Sequence, residues 1–60
     1  RRKAKFADAL THYMNALKIA EKNGDETMMA KAYTGMGVLY VNQKDLKRAE
    51  SYHLKALSAP

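Results

Sequence analysis

Residues 32–40 read Ala32-Tyr33-Thr34-Gly35-Met36-Gly37-Val38-Leu39-Tyr40, "AYTGMGVLY". The apolar positions are spaced for a helix, yet two glycines lie inside it. A glycine in a helix interior costs roughly 0.5–1 kcal/mol against alanine. Three arrangements can compensate: a phosphate-binding Gly-x-Gly turn, a hinge, or a close contact between helices. A dinucleotide-type phosphate turn needs a preceding strand, a third glycine and a helix opening at the turn. Position 40 is tyrosine and the setting is mid-helix, so the first arrangement fails.

The flanking sequence supplies the helices that such a contact requires. Phe6, Ala9, Leu10, Tyr13, Met14, Ala16, Leu17 and Ala20 recur at the spacing of one buried helical face, which predicts a helix over 3–22. Asn23-Gly24-Asp25 ends it. Gly24 suits the left-handed position after a helix, and Asp25 suits the cap of the next. The second helix is expected over 26–42, burying Met29, Ala32, Tyr33, Met36, Gly37 and Tyr40. Gln43-Lys44-Asp45 is a short link with Asp45 as cap. A third helix over 46–58 offers Leu46, Ala49, His53, Ala56 and Leu57 as its inner face, and Pro60 stops it soon after. Strand signals are absent. The expected fold is all-α, with three antiparallel helices.

The first and third helices resemble each other. Ala9, Tyr13, Ala16 and Leu17 align with Ala49, His53, Ala56 and Leu57 at an offset of 40 residues. On this alignment 1–22 is the second helix of one hairpin, and 26–58 is a complete hairpin of the same type.

Composition narrows the rest. Sixty residues make one small domain, and a chain of that size buries only about 60% of its unfolded surface. There is no cysteine, hence no disulfide framework and no cysteine-based zinc site. No run reaches the ~18 apolar residues of a membrane span, and nothing resembles a signal peptide; a cytoplasmic location is the expectation. The chain opens on Arg1 rather than Met, so an excerpt of a longer protein is expected. The net charge of +5 is concentrated in Arg1, Arg2, Lys3 and Lys5, while residues 6–60 carry seven basic and six acidic side chains.

The complete unit reads Tyr33-x-x-Met36-Gly37-x-x-Tyr40, then Ala49-x-x-x-His53-x-x-Ala56. It resembles the tetratricopeptide repeat, whose pattern runs aromatic, Leu-Gly, Tyr, Ala, aromatic, Pro. The resemblance covers the whole chain, as about one and a half repeats. Met36 stands for the usual Leu, His53 for an aromatic, and Lys44 for a common turn glycine. The offset of 40 residues exceeds the usual period of about 34, and the surplus is placed at the end of the first helix. The resemblance implies an α-solenoid segment of a longer array. It also implies that Gly37 lets the two helices of the hairpin approach, with Ala49 facing it. Leucine at 37 is then expected to destabilise the fold. Gly35 lacks such a reason, so alanine there is expected to be neutral or stabilising.

Function follows from the same resemblance. Such arrays bind peptides or partner helices in a groove lined by the first helix of each hairpin. Carried over by slot, the groove face is Lys31, Thr34, Gly35, Val38 and Asn42. Thr34 and Val38 occupy places where some relatives use Lys and Asn to clamp a C-terminal carboxylate, so an apolar or helical ligand is expected instead. The alternative is a nucleic-acid-binding module using the basic N-terminal end, although the third helix, with Glu50 among Lys47, Arg48 and Lys55, is a poor recognition helix. His12 and His53 lack metal-ligand spacing, and Asp45, Ser51 and His53 lie on or beside one helix without a nucleophile turn. Neither an enzyme nor a cofactor is expected. Tyr13, Tyr33, Tyr40 and Tyr52 are expected to pack in the core. Faces left open on Phe6, Leu10, Tyr13 and Leu17, and on Tyr52 and Leu54, predict self-association of the chain.

Overall fold

The computed structural model describes residues 2–58, and their helices are α1 (Arg2–Asn23), α2 (Glu26–Asn42) and α3 (Leu46–Ser58). The ends expected for the second and third helices coincide with those found. Arg1, Ala59 and Pro60 lie outside the described residues, as do the side chains of Arg2, Lys3 and Ala4; the expected stop at Pro60 and most of the basic end fall there.

Both links between helices are built the same way. After α1, Gly24 takes φ +68°, its N–H donates to the Glu21 carbonyl at 3.3 Å, and the Asp25 N–H donates to the Ala20 carbonyl at 2.8 Å. After α2, Lys44 takes φ 62°, its N–H donates to Val41 and the Asp45 N–H to Tyr40, both at 2.9 Å. These paired bonds satisfy carbonyls that a helix end leaves without partners. In each case the next residue is an aspartate that caps the following helix. Asp25 Oδ1 accepts from the Met28 N–H at 3.1 Å, and Asp45 Oδ1 accepts from the Arg48 N–H at 3.2 Å. A left-handed residue followed by a capping aspartate turns the chain back on itself in two residues. Glycine does this freely at 24; lysine does it at 44 at a conformational cost.

The short links make neighbours antiparallel. Phe6 meets Tyr40 and Tyr13 meets Gly35 across α1 and α2; Arg48 meets Tyr40 and Lys55 meets Tyr33 across α2 and α3. Helix α2 is central, with α1 and α3 packed against it and no close approach of α1 to α3 among the described residues. The Cα trace spans 34 × 20 × 10 Å, so the molecule is a slab about one helix thick. That shape explains the small interior. Among the described residues the buried hydrophobic side chains are Ala20, Ala32, Met36 and Ala49, with Met36 1% exposed, and Gly37 is buried with them.

The slab corrects part of the expected core. Leu46 and Leu57 were expected on the inner face of α3 but are 66% and 82% exposed, and Met14 of α1 is half exposed. A helix packed on one neighbour buries a single narrow stripe, and these residues stand off it. Tyr52, expected on an open face, is instead half-buried and stacked on Tyr40.

Candidate functional site

Of the groove residues expected from the sequence, Lys31, Thr34, Val38 and Asn42 are exposed on α2. Their spacing of three, four and four residues puts them in one row along the helix. The row offers one cation, two hydrogen-bonding groups and one aliphatic side chain. Asn42 also lines an open depression of about 470 Å³ with Lys5, Phe6, Ala9, Leu39 and Gln43.

Gly35 is half-buried rather than open. A Cβ there would overlap Cε1 and Cζ of Tyr13 and lie 2.9 Å from its Cδ1. The phenol ring of α1 thus occupies the space that a side chain would need. Gly37 is used in the same way from the other flank. A Cβ at 37 would lie 3.0 Å from Cε1, 3.1 Å from Nδ1 and 3.1 Å from Nε2 of His53. Near-equal distances to three ring atoms place the imidazole flat over the glycine. The sequence pointed to a close contact at Gly37, and a close contact is there, but the His53 ring of α3 makes it; Ala49 is buried as well. The two rings occupy aligned positions, Tyr13 in α1 and His53 in α3, and each lands on one glycine of α2.

On the α2–α3 side, rings and cations form a column. Tyr40 and Tyr52 are stacked 5.6 Å apart at 3°, and Tyr33 stacks on Tyr52 at 6.2 Å. Phe6 meets Tyr40 edge-on at 5.6 Å. The Arg48 guanidinium lies 5.8 Å from the Tyr40 centroid, and the Lys55 ammonium 5.4 Å from that of Tyr52 and 5.9 Å from that of Tyr33. Arg48 is also paired with Asp45 at 3.2 Å. These cations are held by rings and a cap, so the column is a packing device between helices. Tyr33, Tyr40 and Tyr52 of this column, and Tyr13 over Gly35, are each half-buried.

A second open depression, of about 480 Å³, lies between the end of α2 and the outer side of α3, lined by Val41, Leu46, Ala49, Glu50, His53 and Leu54. The sequence reading placed an open face at Leu54, which lines this depression, but assigned Leu46 inward. The aligned pairs Phe6/Leu46 and Leu17/Leu57 contained the signal, since a face covered once in a repeat has a counterpart. Among the described residues no group of three or more His, Cys, Asp or Glu is placed to hold a metal ion, and no helix is long and apolar enough to cross a membrane.

A family model, tetratricopeptide repeat, matches residues 1–59. Compared with curated proteins and with solved structures, the chain finds no match.

Proposed function

The chain belongs to the tetratricopeptide repeat family, and on that premise we propose that the exposed row Lys31, Thr34, Val38 and Asn42 of α2 binds an apolar or helical peptide segment. The family suggests a protein–protein interaction module, and its repeats are typically non-catalytic scaffolds. The observation that carries the site is Val38, 48% exposed in the middle of a row whose other members are polar. An aliphatic group flanked by hydrogen-bonding side chains favours a ligand with an apolar stripe and polar edges. Gly35 drops out of the contact surface, because Tyr13 covers it; the ligand rests on side chains rather than on bare backbone. The nucleic-acid alternative rests on Arg1, Arg2, Lys3 and Lys5, of which Lys5 alone has its side chain among the described residues, and is not carried forward.

The test uses one leucine-rich helical 15-residue peptide in two forms, C-terminally amidated and free acid. Equal affinity for both, weakened about tenfold by Val38→Asp, is the expected result. A large preference for the free acid would overturn the apolar reading, and so would indifference to Val38→Asp.

A further inference from the structure

Tyr13 reaches the exposed row of α2 from another helix. The ring edge formed by its Cδ1, Cε1 and Cζ surrounds the point where a side chain of residue 35 would begin. The hydroxyl is bonded to Cζ, so it lies beside that point, where residue 35 would otherwise present a functional group. Gly35 sits within the row: Lys31 is one turn before it and Val38 one turn after. What α2 lacks at 35 is a side chain, and α1 supplies one.

The hydroxyl is open to a ligand. Among the described residues it takes part in no hydrogen bond, and no side-chain oxygen or nitrogen without a partner is buried. A half-buried tyrosine whose hydroxyl is neither bonded nor buried holds that hydroxyl in water. Ala32, Met36 and Gly37 are buried on the inner side of α2, so the open side of Gly35 is the one it shares with Lys31, Thr34 and Val38, all exposed. The ion pair among the described residues joins Arg48 to Asp45, which leaves the Lys31 ammonium without a carboxylate. A phenol that can donate and an ammonium one turn away form a notch suited to an anionic acceptor.

We propose that Tyr13 is a specificity-determining residue of the α2 row. Its hydroxyl, with the Lys31 ammonium, holds the side-chain carboxylate of an Asp or Glu in a helical partner segment, one turn away from the apolar residue seated on Val38. This rests on the reading of the row as a peptide-binding surface. The spacing follows from helix geometry: ligand residues three or four places apart lie about 5 Å apart along the axis, which matches the separation of 35 and 38 on α2. A side chain rather than a chain terminus fits, because the notch lies in mid-row. Lys31 is on one side of it and Val38 and Asn42 on the other, so a ligand using the whole row runs past the notch in both directions.

The probes are two labelled 15-residue helical peptides, both C-terminally amidated. One carries glutamate four places before and four places after a central leucine, which makes it indifferent to the direction of binding; the other carries leucine at both places. Titrated against the 60-residue protein by fluorescence anisotropy at low salt, the Glu peptide is expected to bind about tenfold more tightly. Tyr13→Phe keeps the ring over Gly35, so the melting temperature and the affinity for the Leu peptide should hold, while the Glu peptide weakens about fivefold. Lys31→Met should weaken the Glu peptide to a similar degree and flatten its salt dependence. The proposal is overturned if either variant leaves the advantage of the Glu peptide intact, or if Tyr13→Phe weakens both peptides equally, which would make the hydroxyl structural. A free-acid Leu peptide that binds as tightly as the Glu peptide would also overturn it, since a terminal carboxylate would then be the group held. Val38→Asp reads the row itself through the Leu peptide: a loss there with no effect of Tyr13→Phe removes the role of Tyr13 alone, and no loss removes the row reading as well.

Discussion

The phenol ring of Tyr13 covers the Cα of Gly35 so closely that an alanine methyl would overlap it. The helix-propensity argument for alanine at this position ignores that ring. Gly35→Ala gains up to about 1 kcal/mol of propensity and loses about 1–3 kcal/mol to overpacking or to displacement of the ring. We expect net destabilisation of about 1 kcal/mol, read by urea unfolding. In a Tyr13→Ala background the same substitution should turn stabilising. Additive effects of the two changes would show that the ring moves away at no cost.

Gly37 carries the equivalent contact from α3. Gly37→Leu forces the His53 ring off a backbone with which it is in contact across its face. Destabilisation of about 3 kcal/mol is expected, within the upper range for overpacking. His53→Ala should recover part of that loss. An unchanged melting temperature for Gly37→Leu would contradict the contact.

The second link holds a lysine in a conformation that glycine adopts without strain, φ 62°. Lys44→Gly should stabilise by about 0.5–1 kcal/mol, the left-handed penalty less the entropy that glycine loses. Gly24→Ala should do the opposite at the equivalent position. Removing either aspartate cap, Asp25→Ala or Asp45→Ala, should cost about 1 kcal/mol. Thermal unfolding of the four variants checks the set; a destabilising Lys44→Gly would mean that the lysine side chain has a role of its own.

Leu54 and Leu57 are 58% and 82% exposed, and Leu46 is 66% exposed. The isolated chain is expected to associate as its concentration rises. Sedimentation at several concentrations should show this, and Leu46→Asp with Leu57→Asp should restore a monomer. A strictly monomeric starting chain at high concentration would mean that the slab is stable with these leucines in water.

What the sequence by itself determined is whatever depends on neighbours along the chain. The bounds of α2 and α3, the left-handed turn at Gly24 and the caps at Asp25 and Asp45 were legible. Each rests on hydrogen bonds spanning at most five residues, and residue types carry that information locally. The repeat was legible too, because Ala9, Tyr13 and Ala16 have counterparts at a fixed offset. Only the tertiary structure decided which ring fills which glycine, and that Leu46 and Leu57 face water while Tyr52 is stacked against Tyr40. A periodic apolar pattern marks residues able to be buried, but burial requires a second element on that side. The slab presents α2 to one face of α3 alone, so leucines that read as core in the chain remain on its surface.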